Sequence, residues 1–236
     1  MQVVLLTTAT PHHLYYAWQM RRAGMLDAIV VETRAPHFPF PTAHSFEQDR
    51  DEYELESLLN GAPETLEDVA PVFRCANVNA LETIAELRRL RPDVVVVFGT
   101  GRITKDLVTI PTIACLNLHG GNPEAYRGLD SHLWAIYHRD FQNLVTTLHF
   151  VAPELDAGDI VFTADLPIVR GLGLHQLRAV NTQVCVNLSL LAVRSLAERL
   201  PLPSRRQQTR GRYYSAMPTV LKQDCVSKFA RYTADL

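Results

Sequence analysis

Two short stretches of this chain concentrate polar residues at the ends of apolar runs. The first is Leu116-Asn117-Leu118-His119-Gly120-Gly121-Asn122-Pro123-Glu124-Ala125-Tyr126-Arg127-Gly128, fed by the run 113–116. On a strand, Asn117 and His119 stand two apart and point to one face. The second is residues 151–159, a loop with Asp156 near its apex and Gly158 to turn it. A neutral amide such as Asn117 can donate to an oxygen that gains negative charge, an effect worth about 3–4 kcal/mol in other enzymes. An imidazole with an ordinary pKa near 6.5 can give or take a proton at neutral pH. An aspartate beside it can raise that pKa, fix the tautomer and hold a water. Such a set suits transfer through a tetrahedral oxyanion with no covalently modified side chain.

Each residue also has a plainer use. A histidine at a strand end can be a hydrogen-bonded structural residue, and Asn117 can satisfy backbone groups in a turn. Turn chemistry alone accounts for one of Asp156 and Asp159. His149 reads either as a core histidine under the site or as support for it. The segment Thr7-Thr8-Ala9-Thr10-Pro11-His12-His13 can touch substrate, or Thr10 can cap a helix with Pro11 at its first position.

The elements that must position these residues follow a clear rhythm. Apolar runs at 3–7, 28–32, 72–75, 94–98 and 113–118 read as strands. Helical spacing at 12–23, 47–60 and 80–91 separates them, with a short turn of helix at 107–109, and residues 34–46 loop. The continuous apolar run 94–98 is expected of a strand buried on both faces of a parallel sheet. This alternation predicts βαβ units in an open, Rossmann-like, mostly parallel α/β sheet with helices on both faces. Beyond Gly128 the pattern changes to a helix at 131–139, strands at 145–151 and 160–164, and a long helical stretch at 172–200. Residues 201–211 read as a linker to a polar tail, so the expected organisation is a catalytic domain at 1–200 and a C-terminal extension at 201–236.

Composition narrows the classes. The chain has 236 residues, 47% hydrophobic and 20% charged, enough to bury a sizeable core. A net charge of −2 offers no basic footprint for nucleic acid or an anionic membrane. No apolar run approaches the roughly 18 residues of a membrane span, and the N-terminus lacks the features of a secretory signal. Cys75, Cys115, Cys185 and Cys225 form no CxxC pair and suit a reducing compartment; a cytoplasmic location is expected. No GxGxxG follows the first strand. No HxxE, HExxH or Cys-rich spacing supports a metal at His119, His149 and Asp156, so they are not expected to hold one.

These segments resemble the formyltransferases that use N10-formyltetrahydrofolate, whose core reads Asn-x-His-x-Ser-Leu-Leu-Pro-x-Tyr-Arg-Gly, then Thr-x-His on a strand, then Leu-Asp-x-Gly. Here Asn117-Leu118-His119 opens the motif and Tyr126-Arg127-Gly128 closes it. Thr147-Leu148-His149 and Leu155-Asp156-Ala157-Gly158 complete the set. The likeness is good over about 94–165 and is only a βαβ rhythm before that. Gly120-Gly121-Asn122-Pro123-Glu124 departs from the family pattern at preserved length.

The resemblance implies Asn117, His119 and Asp156 as catalytic residues and N10-formyltetrahydrofolate as co-substrate. It places the pterin against Phe98, Gly101, Arg102 and Ile103 on one segment, with Ala152, Glu154 and Leu155 on the other. His12, Tyr126, Arg127 and Gly128 are the expected contacts to the acceptor, with Arg127 facing a diphosphate. The first loop has no glycine for the phosphate nest of glycinamide ribonucleotide transformylase. Residues 201–236 are too short for the tRNA-binding barrel of methionyl-tRNA formyltransferase. The implied acceptor is therefore a nucleotide-linked 4-amino-6-deoxy sugar. Another small amine, such as glycinamide ribonucleotide or a siderophore precursor, and a non-catalytic formyl-folate-binding protein are the alternatives. A homodimer is compatible with this reading.

Overall fold

A computed structural model describes all residues, Met1–Leu236. The strands are β1 (Val3–Thr7), β2 (Ala28–Glu32), β3 (Val72–Cys75), β4 (Val94–Phe98), β5 (Ala114–His119), β6 (Tyr126–Gly128), β7 (Val145–Phe150), β8 (Ile160–Asp165) and β9 (Arg212–Tyr214). The helices are α1 (Pro11–Arg22), α2 (Phe46–Leu58), α3 (Leu81–Leu90), α4 (Lys105–Val108), α5 (Ser131–Tyr137), α6 (Leu177–Ala197) and α7 (Thr219–Ala234). Seven strands form one sheet in the order β3-β2-β1-β4-β5-β7-β8, and β6 pairs with β9 in a separate ribbon. Strands β1 to β5 are mutually parallel; β7 and β8 run antiparallel to their neighbours.

The alternating faces of the strands explain the layering. Val3, Leu5, Ile29, Val31, Val94 and Val96 join one apolar cluster, beneath α1, α5, α6 and α7. Val4, Leu6, Val30, Val95 and Val97 join another, with Leu87 of α3 and Leu107 of α4. Residues one apart on a strand face opposite sides, so a strand wedged between two helix layers must be apolar throughout.

The chain order reverses at β1, which has β2 on one side and β4 on the other. Loops leaving the carboxyl ends of β1 and β4 therefore diverge and open a crevice, the usual ligand position in such sheets. No helix is long and apolar enough to cross a membrane.

The last part of the chain is more ordered than its polarity suggests. Residues 212–214 pair with β6, and α7 packs on α5 with Cys225 and Phe229 fully buried. The buried stripe of α7 is Lys222, Cys225, Phe229 and Thr233. Two of those four are polar, so the helical period is not visible as hydrophobicity. Lys222 is accommodated because its amine reaches the Thr42 carbonyl and Glu47.

Candidate active site

The register of two strands, β5 and β7, sets up the centre. Asn117 on β5 lies opposite His149 on β7, and His119 lies opposite Thr147. The Thr147 hydroxyl donates to the Gly121 carbonyl at 2.8 Å, holding the loop that follows β5. A Cβ on Gly121 would stand 2.8 Å from Ser131 Cβ and 3.2 Å from His119 Nε2, so the loop passes the imidazole closely only without a side chain.

Hydrogen-bonding roles follow from which atoms can only accept. His119 Nε2 lies 2.8 Å from the Tyr126 carbonyl oxygen, so Nε2 carries the hydrogen. In the neutral ring, Nδ1 then presents its lone pair, 3.7 Å from Asp156 Oδ2. His149 Nδ1 donates to the Phe150 carbonyl at 2.8 Å, which leaves its Nε2 to accept from Asn117 Nδ2 at 3.0 Å. That pairing orients the Asn117 amide with its nitrogen toward Asp156, 3.5 Å from Oδ1. His149 thus acts on the centre through Asn117.

Asp156 lies in the left-handed region at φ 50°, which short polar side chains tolerate better than most. Its Oδ2 accepts the Gly128 N–H at 2.8 Å. Two residues on, Gly158 packs so closely that a Cβ would overlap the Phe150 carbonyl oxygen at 1.6 Å. Burial pushes the Asp156 carboxyl up, but the His119 and His149 rings and the Gly128 N–H outweigh it and hold it at about 2. His119 is 5% exposed, and burial takes its pKa below 6.5 even though Asp156 pulls it upward. At neutral pH the pair is a carboxylate beside a neutral imidazole.

These groups line a cavity of about 400 Å³. One wall comes from Phe98, Gly101, Arg102 and Ile103 with Ala152, Glu154 and Leu155, so each residue expected to meet the pterin does reach the cavity. Arg102 ties that wall together by donating to the Pro153 carbonyl. Residues of α1, α2 and α6 also line the cavity. His12, expected as an acceptor contact, is there, joined by His13, Arg50 and Arg178. Arg178 makes a two-pronged pair with fully buried Glu54, both contacts at 2.6 Å, and also reaches Asp51. Arg50 bonds to Glu47 and Asp51. Thr10 does not cap α1 with its side chain; its hydroxyl bonds to His12 Nδ1 and His13 Nδ1. Burial depresses both imidazoles, His13 to about 3, and His13 Nε2 has no partner.

The triplet Tyr126-Arg127-Gly128 divides. Gly128 reaches the cavity, whereas Tyr126 and Arg127 do not. The Tyr126 hydroxyl donates to Asp140, and its contribution to the centre is the carbonyl that holds His119. Arg127 is 6% exposed and its Nη2 is bonded to the Asp156 carbonyl and to Gln207. Its guanidinium supports the aspartate turn and is not presented to a diphosphate. Sequence reading also passed over Arg50, Arg178 and Gln207, since polar helix faces and a polar linker carry no signal of burial.

Comparison with known proteins places this arrangement in context. The formyl transferase family model matches residues 28–185. A methionyl-tRNA formyltransferase from Moorella thermoacetica is 33% identical over 136 residues, covering 56% of this chain and 43% of that protein. The chain thus spans less than half the length of the curated relatives it matches. A sugar N-formyltransferase from Shewanella sp. FDAARGOS_354 superposes with a TM-score of 0.62 at 16% identity, covering 97% of this chain and 87% of that one. Glycinamide ribonucleotide transformylase 1 from Symbiobacterium toebii gives 0.60 at 17% identity, over 88% and 94%. At these identities the two structures are alike in fold.

Proposed function

The chain belongs to the formyl transferase family, and from that premise we propose that it moves the formyl group of N10-formyltetrahydrofolate to a primary amine, carried on a nucleotide-linked 4-amino-6-deoxy sugar. The observation that carries the transfer chemistry is the neutral His119, its Nδ1 lone pair facing an ionised Asp156 beside the donor nitrogen of Asn117.

The wall formed by Phe98, Ile103, Ala152 and Leu155 suits a flat, partly apolar heterocycle, and the loop backbones supply polar partners. The folate supplies an activated formyl group. Asn117 Nδ2 donates to the formyl oxygen as negative charge develops there. His119 Nδ1 takes the proton that the amine nitrogen must lose as its bond to the formyl carbon forms. Asp156 stabilises the resulting imidazolium. His119 then returns that proton to the departing N10, whose bond to the formyl carbon breaks. The products are the formamide and tetrahydrofolate, and His119 is neutral again.

The first loop supports the sugar acceptor over a ribonucleotide monophosphate. Pro11 has no N–H, and the Thr8 and Thr10 hydroxyls are turned onto the two imidazoles. Those two hydroxyls are therefore not turned toward a phosphate.

The test is a steady-state comparison at saturating N10-formyltetrahydrofolate. The amines are dTDP-, UDP- and GDP-linked 4-amino-4,6-dideoxyhexoses and glycinamide ribonucleotide, with formamide product read by mass spectrometry. Turnover of at least one sugar nucleotide and negligible turnover of the ribonucleotide is expected. Faster ribonucleotide turnover replaces the acceptor assignment. Intact formyl-folate with every amine would make the protein a binder.

A further inference from the structure

Asp156 occupies a turn that is held from the far end of the chain. Its φ of 50° is a minority conformation even for an aspartate, and here both its side chain and its backbone are tied down. The Gly128 N–H secures the carboxylate. The backbone is secured separately: Gln207 Nε2 donates to the Asp156 carbonyl at 2.8 Å and to the Gly158 carbonyl at 2.9 Å. Carbonyls only accept, so both amide hydrogens of Gln207 are committed to this turn. Its Oε1 accepts from Arg127 Nη2 at 3.3 Å, and the same nitrogen lies 3.3 Å from the Asp156 carbonyl.

Gln207 is itself fixed by its neighbours. Arg205 exchanges backbone hydrogen bonds with Ile160 and grips the Glu124 carboxylate. The Thr209 hydroxyl donates to the Glu124 carbonyl, and the N–H groups of Gly211 and Arg212 donate to Pro123 and Ala125. Residues 205–212 therefore lace the loop after His119 to the loop that carries Asp156. This segment lies beyond the residues matched by the family model.

We propose that Gln207 is a positioning residue of the reaction, holding the Asp156 backbone so that its carboxylate stays 3.7 Å from both His119 and His149. Without it the Asp156 carbonyl keeps only the longer Arg127 contact. The turn then relaxes toward an ordinary φ and carries the carboxylate away from the rings. The side chains facing His119 are Asp156, His149, Arg127 and His132. Asp156 is the one among them that favours the imidazolium, so withdrawing it lowers the His119 pKa further.

This inference rests on the formyl-transfer reading only for its kinetic arm. Titration of the histidine rings by ¹H–¹⁵N NMR on the full chain needs no acceptor and stands whatever that reading's fate. Asp156→Asn sets the reference shift. Gln207→Ala, and Gln207→Met of similar length but without donors, should move His119 downward by part of that shift. They should also cut kcat about tenfold with an unchanged KM for N10-formyltetrahydrofolate. Thr209→Ala, which removes a strap bond without touching the turn, should lower Tm and leave the His119 titration in place. If both Gln207 variants titrate like wild type and lose only Tm, as Thr209→Ala does, the proposal is overturned.

Discussion

The two sides of the cavity are held by opposite kinds of electrostatics. Around His119 the charged contacts are loose, with Asp156 at 3.7 Å from each imidazole. On the α2–α6 side they are tight, with Arg178 at 2.6 Å from both oxygens of buried Glu54. A loose pair leaves a lone pair and a carboxylate free to share a proton during a reaction. A saturated pair has no spare capacity and instead joins two helices from distant parts of the chain. Under the proposed function, the contrast separates residues assigned to the chemistry from residues that keep a wall in place.

The sharpest way to break that separation is to delete the proton carrier. His119→Ala should lower kcat by about 10²–10⁴-fold, the usual scale for acid–base residues, and Asp156→Ala by at least about 10²-fold, with a thermal melt close to wild type for His119→Ala. Near-normal turnover in either variant ends the mechanism. The wall should respond in reverse. Arg178→Ala leaves Glu54 buried without its partner and should cost about 3–5 kcal/mol of stability in denaturant unfolding. Adding Glu54→Gln should recover a large part of it. If Arg178→Ala instead spares stability and abolishes turnover, the wall belongs to the chemistry.

Asn117→Ala refines the picture within the centre. It should reduce kcat by about 10²-fold with little change in the KM for N10-formyltetrahydrofolate, because its donor serves charge present mainly in the transition state. A loss confined to KM would move Asn117 from catalysis to binding.

Titration gives a smaller but signed effect. In the proposed reaction His119 works as a base from its neutral form, and burial lowers its pKa. The acid limb of kcat/KM should therefore fall below pH 6.5, and a limb above 6.5 would contradict the assignment. Stability should follow the same direction. An unfolded histidine binds its proton more readily than His119, so that contribution is present above pH 6.5 and is lost as pH falls. Asp156, held at about 2, contributes stability above the ordinary aspartate pKa and loses it between about pH 4 and 2. Unfolding measured across pH 3–8 checks both.

The mildest effect is expected at Arg102, on the wall proposed to take the folate. Arg102→Ala removes the bond to the Pro153 carbonyl. A net hydrogen bond is worth about 1 kcal/mol, so the KM for N10-formyltetrahydrofolate should rise about fivefold at constant kcat. A drop in kcat would show that the wall also aligns the formyl group.

Much of the sheet was legible in the residues. The runs that form β1, β2, β3 and β4 were read at their observed bounds; in the buried β1, β2 and β4, apolar side chains between two helix layers leave few other arrangements. Asn117, His119 and Asp156 were legible because the amide, imidazole and carboxylate occur at ordered spacing on a strand end and a Gly-bearing loop. Arg127, expected to face a diphosphate, has its guanidinium bonded to a carbonyl and an amide inside the protein. The helix α7 was hidden by Lys222 and Thr233 on its buried stripe.

Alone, the sequence determined the βαβ order and the apolar strands, and it set an amide, an imidazole and a carboxylate at 117, 119 and 156, since periodicity and residue chemistry are local properties. Tertiary structure decided the rest. Only folding sets Asn117 opposite His149, brings Glu54 to Arg178 across 124 positions, and lays Gln207 against the Asp156 turn. Those contacts join segments far apart in the chain, and a polar side chain looks the same in sequence whether water or a buried carbonyl meets it.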